Sequence, residues 1–168
     1  DPENNDLRRG GIDQVYTKLG TYELTPYVEN LGYTGTSSFT GRGNTLDNVI
    51  VGGAESDKLY GSGSNDAYFL GDADTLRGLG GNDFLYGGSG KDLLEGGEGN
   101  DTLDAGNDWL LPGVGQADTL VGGVGDDTYL VYDLSDTVVE ADGEGIADLV
   151  KTFGFSGYEL AANVENLT

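Results

Sequence analysis

Residues 78–104 read as three successive nonapeptides, GLGGNDFLY, GGSGKDLLE and GGEGNDTLD, aligned on an aspartate at the sixth position. A fixed short period marks a repeat architecture, in which no copy buries a core alone and each must stack on its neighbours. The same frame runs outward as GNTLDNVIV from Gly43, GGAESDKLY from Gly52, GSGSNDAYF from Gly61 and a shortened LGDADTLR from Leu70. Beyond Asp104 it continues as a short AGNDWLL from Ala105, a long PGVGQADTLV from Pro112 and a regular GGVGDDTYL from Gly122.

About ten units therefore span 43–130. Their sixth position is Asn48, Asp57, Asp66, Asp74, Asp83, Asp92, Asp101, Asp108, Asp118 and Asp127. Two places later stand Ile50, Leu59, Tyr68, Leu76, Leu85, Leu94, Leu103, Leu110, Leu120 and Tyr129. Three residues with an apolar centre form a very short strand that points the centre to one face. The six Gly-rich residues before it form a turn, where Gly supplies positive φ and close backbone approach. Turn and strand in alternation wind the chain into two parallel sheets, with two units per coil. Alternate units then stack, which predicts one column of Asp66, Asp83, Asp101 and Asp118 and another of Asp57, Asp74, Asp92, Asp108 and Asp127.

The charge decides what those columns hold. Asp and Glu number 30 against 8 Lys and Arg, a net charge of -22, and a compact body so charged repels itself unless a cation neutralises it. Cys and His are both absent, which excludes thiol chemistry, disulfides, imidazole bases and most zinc or copper sites. Such acidity does not suit nucleic acid, and no apolar run approaches the roughly 18 residues of a membrane span. Dense carboxylate and carbonyl oxygens fit a hard cation, and flexible geometry with six to eight ligands suits Ca²⁺ better than Mg²⁺. GGSGKD at 87–92 lacks the Gly and the Ser or Thr of a phosphate-binding loop.

A longer repeat flanks the short one. Gly11–Leu31 and Gly145–Leu167 share GI, a D-x-V-x-T spacing, YEL and VENL, at distances of 134 residues (Gly11 to Gly145) to 136 (Leu31 to Leu167). The expectation is an excerpt from a longer protein built on a repeat of this length. The flanks alternate apolar and polar residues and read as short strands, not helices. Apolar ninth positions near both ends, among them Tyr60 and Val121, suggest that 11–40 and 131–168 pack over the two ends of the roll.

Units 78–104 and 122–130 resemble GGxGxDxUx, the repeat of RTX (repeats-in-toxin) proteins, a nonapeptide already known to bind calcium. The flanks resemble segments beside such repeats in large bacterial RTX proteins. The resemblance implies an all-β, right-handed parallel β-roll over 43–130, with flanking or capping strand segments at 1–42 and 131–168. It implies calcium held between turns by Asp57, Asp66, Asp74, Asp83, Asp92, Asp101, Asp108, Asp118 and Asp127. Backbone carbonyls of the regular turns, at Gly78, Gly80, Gly87, Gly88, Gly90, Gly96, Gly97, Gly99, Gly122, Gly123 and Gly125, complete the ligand set. Neighbouring turns share sites, so about four to seven ions are expected.

The function this resemblance implies is that of a non-catalytic module, exported unfolded by type I secretion machinery and folded by extracellular calcium. Two classes compete: a structural or secretion-assisting part of a repetitive adhesin or surface protein, whose partners are neighbouring repeats, and an accessory domain of a secreted protease, lipase or epimerase that aids folding or binds polysaccharide.

Overall fold

The computed structural model describes residues 11–62, 72–106, 116–154 and 156–168. Fifteen strands follow one another among them: β1 (Gln14–Thr17), β2 (Thr21–Glu23), β3 (Asn30–Tyr33), β4 (Thr40–Arg42), β5 (Val49–Val51), β6 (Lys58–Tyr60), β7 (Thr75–Gly80), β8 (Phe84–Tyr86), β9 (Leu93–Glu98), β10 (Thr102–Asp104), β11 (Thr119–Val124), β12 (Thr128–Val131), β13 (Thr137–Val139), β14 (Leu149–Thr152) and β15 (Asn166–Leu167). Successive strands up to β14 alternate between two sheets. One has the order β1-β3-β5-β7-β9-β11-β13, the other β15-β14-β12-β10-β8-β6-β4-β2, and every pairing is parallel. This is a parallel β-roll, and no helix occurs among the described residues.

Each strand from β5 to β12 places its eighth-position residue in the interior. Ile50, Leu76, Leu94 and Leu120 from one sheet meet Leu59, Leu85, Leu103 and Tyr129 from the other, all with zero exposure. These are the eighth positions of the repeat, and parallel pairing keeps them in register: Leu85 beside Leu103, Leu103 beside Tyr129. Tyr68 and Leu110 lie outside the described residues. Toward the N-terminal end Phe39 fills the place that Gly41 leaves open, since a Cβ on Gly41 would lie under 3.0 Å from the Phe39 ring. The core is one side chain thick between two short-stranded sheets, each buried aliphatic contributing about 1.5–3 kcal/mol. Burial of this kind must offset the ordering of long Gly-rich turns, and Gly loses the most backbone freedom on folding.

Coil length departs from expectation. Asp74 to Asp92 and Asp83 to Asp101 are coils of 18 residues, but Asn48 to Asp74, Asp57 to Asp83, Asp92 to Asp118 and Asp101 to Asp127 each take 26. The reason is topological. β6 ends at Tyr60 and the next strand among the described residues, β7, lies in the other sheet and starts at Thr75. In the same way β10 ends at Asp104 and β11, in the other sheet, starts at Thr119. Counting every unit as half a coil therefore keeps Asp83 with Asp101 and Asp74 with Asp92 but misassigns Asp57, Asp118 and Asp127.

The flanks join the stack as end coils by strand pairing. β1–β4 continue both sheets at one end, and β13–β15 at the other. The ninth positions are covered chiefly by adjacent rungs of their own sheet. Arg42 sits 3.9 Å over the Tyr60 ring, Tyr60 leans on Phe84 and Tyr86, and Val121 lies between Glu95 and Val139. The two copies of the long repeat also agree in structure. Gln14 and Val15 pair with Asn30 and Leu31 as Leu149 and Val150 pair with Asn166 and Leu167. The Asp13 amide donates to Glu29 Oε2 (2.8 Å) as the Asp148 amide donates to Glu165 Oε2 (3.0 Å).

Candidate metal centre

Turns stack along the two edges of the roll, and each brings its sixth-position side chain onto the turn of the coil before. On one edge Asp57, Asp83 and Asp101 donate their amides to Oδ1 of Asp83, Asp101 and Asp127 at 2.7–2.8 Å, and Asp127 donates to Asp148 Oδ1 at 2.8 Å. On the other edge Asn48, Asp74 and Asp92 donate to Oδ1 of Asp74, Asp92 and Asp118 at 2.7–2.8 Å, and Asp118 donates to Asp136 Oδ1 at 3.1 Å. The columns are thus Asp57, Asp83, Asp101, Asp127, Asp148 and Asn48, Asp74, Asp92, Asp118, Asp136. Asp83 stacks on Asp101 and Asp74 on Asp92 as the unit count expects, but Asp57 and Asp127 belong to the column of Asp83 and Asp118 to that of Asp74, the reverse of the expected assignment. Asp66 and Asp108 lie outside the described residues.

Every member is buried, with exposures of 0–6 %. One oxygen of each acid serves the backbone ladder. The other, Oδ2 of Asp74, Asp83, Asp101, Asp127 and Asp148, is buried with no hydrogen-bond partner, as is Glu140 Oε2. An unpaired buried carboxylate oxygen is costly, and natural proteins satisfy such groups with a donor or a cation. Burial, reinforced by neighbouring acids, raises Asp83 and Asp127 from 3.8 to about 7 and Asp74 to about 8, against the lowering effect of their ladder amides. Burial likewise lifts Asp57, Asp101, Asp136 and Asp148, and it drives Glu140 from 4.5 to about 8 with help from Asp148 and Asp127. The geometry favours a positive charge beside these oxygens.

The ends of the columns differ from their interiors. Asn48 has its Oδ1 taken by the Asn44 amide (2.6 Å), while its Nδ2 donates to the Val28 and Glu29 carbonyls at 3.3 and 3.2 Å. Asp57 Oδ2 accepts the Gly53 amide (2.6 Å), and Asp136 Oδ2 accepts those of Asp133 and Tyr132 (3.1 and 3.3 Å). Protein donors therefore already serve three of the four column ends, Asn48, Asp57 and Asp136, while the fourth, Asp148, keeps an unpartnered Oδ2 like the interior acids.

Glycine makes room for this. A Cβ on Gly78 would lie under 3.0 Å from Asp83 Oδ2 and Gly96 O; on Gly96, from Asp101 Oδ2 and Gly122 O; on Gly87, from Asp92 Oδ2 and Ala105 O. Carboxylate and carbonyl oxygens from adjacent coils thus crowd one point beside each turn. Gly88, Gly97 and Gly123, second in their units, and Gly90, Gly99 and Gly125, fourth, have positive φ. In the unit from Gly78 the fourth-position role falls to Gly81 (φ 99°), whereas Gly80, named from sequence, lies in β7 opposite Glu98. Leu79 holds the second position with φ 79°.

Two features were missed in the sequence. On the edge of Asp83 and Asp101 the residue before the acid forms a second, exposed ladder: Asn82, Asn100 and Asp126 donate their amides to Ser56 Oγ, Asn82 Oδ1 and Asn100 Oδ1 at 3.0–3.1 Å. The recurrent Asn-Asp pair, at 82–83 and 100–101, was its signal. Asp136, Glu140 and Asp148 also join the edges from outside the nonapeptides, where no local motif marks them.

The family described as RTX calcium-binding nonapeptide repeat matches residues 42–73, 70–103 and 112–128. The chain carries RTX calcium-binding nonapeptide repeats. The chain is similar to part of the Endo-1,3-1,4-beta-glycanase ExsH of Rhizobium meliloti (strain 1021), 42% identical over 64 residues. That stretch covers 38% of this chain and 13% of the glycanase, so the two share only a small fraction of the relative's length. No solved structure matches the chain significantly.

Proposed function

We propose that the RTX roll is a calcium-folded module without catalysis of its own, exported unfolded by type I machinery and folded outside the cell. The observation that carries this reading is the row of buried, unpartnered Oδ2 atoms at Asp74, Asp83, Asp101 and Asp127. One ion in each interval Asp74/Asp92, Asp92/Asp118, Asp83/Asp101 and Asp101/Asp127 would satisfy them, the lower end of the expected four to seven. Without ions, a net charge of -22 and a core one residue thick leave the chain unfolded; each site filled at about 100 times its dissociation constant adds about 2.7 kcal/mol.

In this reading 43–130 is the ion-binding roll, and 1–42 and 131–168 are its flanking coils. The matching strand pairs of 14–31 and 149–167 favour a structural spacer in a repetitive adhesin or surface protein, with neighbouring repeats as partners. The likeness to part of a glycanase supports a second reading, an accessory module of a secreted enzyme that aids folding or binds polysaccharide. Native mass spectrometry of the calcium-loaded chain tests the ion assignment. Four or more bound calcium ions, with loss of ions from Asp101→Ala but not from Asp57→Asn, support it, and a chain that folds with no ion bound overturns it.

A further inference from the structure

Where the nonapeptides stop, one edge of the roll gathers three acids instead of two. Asp127, Glu140 and Asp148 each offer an oxygen, all within 4.8 Å of one another. Their exposures are 1, 8 and 0 %, and Asp127 Oδ2, Glu140 Oε2 and Asp148 Oδ2 are all buried without a hydrogen-bond partner. Glu140 is held in place from behind. Tyr129, fully buried at an interior position that Leu occupies in β8 and β10, donates its hydroxyl to Glu140 Oε1. Gly122 leaves the space for this, since a Cβ there would lie under 3.0 Å from Tyr129 Oη, Asp127 Oδ2 and Glu140 Oε1.

The two long-repeat copies give the contrast. Asp13 and Asp148 occupy equivalent places in coils with the same strand pairing and the same amide-to-glutamate bond. Asp13 is exposed, whereas Asp148 is fully buried against the turn that ends in Asp127. Burial of three carboxylates against one another needs a compensating charge.

We propose that Asp127, Glu140 and Asp148 form a terminal site for a hard divalent cation, Ca²⁺, and that filling it docks the C-terminal coil 140–168 onto the roll. It rests on the calcium reading of the columns and adds a site whose ligands come from outside the repeats. Three carboxylates attract a dication more strongly than the two of an interior interval, so this site fills first. Tyr129 is a positioning residue that fixes the Glu140 carboxylate.

Calorimetric calcium titration of the full chain, with hydrogen exchange read at the same calcium levels, tests this. Glu140→Gln keeps the size of the side chain and removes one charge. It is expected to bind one ion fewer, to lose the tightest step, and to leave the Thr152 and Thr168 amides, which bond Thr168 O and Val150 O, unprotected at calcium levels that protect Thr102 and Thr128. Tyr129→Phe, which keeps the ring in the core, is expected to weaken that step about 10- to 100-fold and to keep the ion count. If Glu140→Gln binds as many ions as the parent with the same tightest step, the terminal site is wrong and the columns stand. If neither the parent nor the variants bind calcium, the calcium reading itself fails.

Discussion

Replacing Asp83 by Asn separates the two roles of a column acid. The Asn Oδ1 can still accept the Asp57 amide, a bond of 2.7 Å in the parent, so the ladder is kept. The change falls on Oδ2, which is buried, unpartnered, and crowded with Gly96 O at one point beside Gly78. Leaving such an oxygen unpaired costs about 1–3 kcal/mol, and an amide there would face a carbonyl acceptor instead of repelling it. Asn48, at the end of the other column, already stands on this pattern with its amide donating to two carbonyls. Without calcium the variant should therefore stabilise the folded roll by about 1–3 kcal/mol. In saturating calcium it loses a charged ligand, and a site held at about 100 times its dissociation constant forfeits up to about 2.7 kcal/mol. The sign thus reverses with the ion. Folding driven by an excluded osmolyte in metal-free buffer measures the first effect, and urea unfolding in calcium the second. Equal shifts of one sign under both conditions would refute the assignment of Oδ2 as an ion ligand.

The same geometry sets three further outcomes. Leu79→Gly relieves a left-handed residue that costs about 1–2 kcal/mol and gives back about 0.5–1 kcal/mol of chain entropy, so the urea midpoint in calcium should rise slightly. Gly96→Ala places a methyl against Asp101 Oδ2 and Gly122 O and should cost at least about 1–3 kcal/mol together with calcium affinity, while Gly20→Ala, whose nearest neighbour is Ser38 O at 3.7 Å, should be nearly silent in the same titration. Acid should partly stand in for calcium: the ion-free folded pKa values of Asp83 and Asp127 (about 7) and Asp74 (about 8) lie above 3.8, so the stability these groups contribute is complete below about pH 4 and is lost as pH rises through 7 to 8. Metal-free protein taken from about pH 8 to about pH 5 should gain β signal by circular dichroism; a loss would show that the carboxylates are not the groups opposing the ion-free fold.

The sequence told most about what repeats locally. Leu85, Leu94 and Leu103 were legible as core because the eighth position is apolar in every unit and is the centre of its x-U-x segment, and Asp83, Asp92 and Asp101 as column members because their units have full length. The stacking of Asp83 on Asp101 and of Asp74 on Asp92 was legible from the 18-residue spacing, but the 26-residue steps that place Asp57, Asp118 and Asp127 were not, since they depend on strand pairing between distant residues and not on the local motif. The flanks read correctly as strands, but their place in the same two sheets needed the parallel ladder to be seen. Glu140 and Asp148 were hidden for a related reason. They reach the edge through an irregular turn between β13 and β14, 21 residues from Asp127 to Asp148 instead of 18, so no period points to them. Asp57 shows the converse: its unit has the full nine residues, yet as the end of a column its second oxygen accepts the Gly53 amide.

Calcium-dependent folding is tested most directly by circular dichroism of metal-free protein near neutral pH, titrated with calcium and, separately, with magnesium. The expected result is a cooperative gain of β signal with calcium, reversed by chelator, and little response to magnesium at the same concentration. A β signal that is already complete in chelator and unchanged on adding calcium would contradict ion-driven folding of the roll.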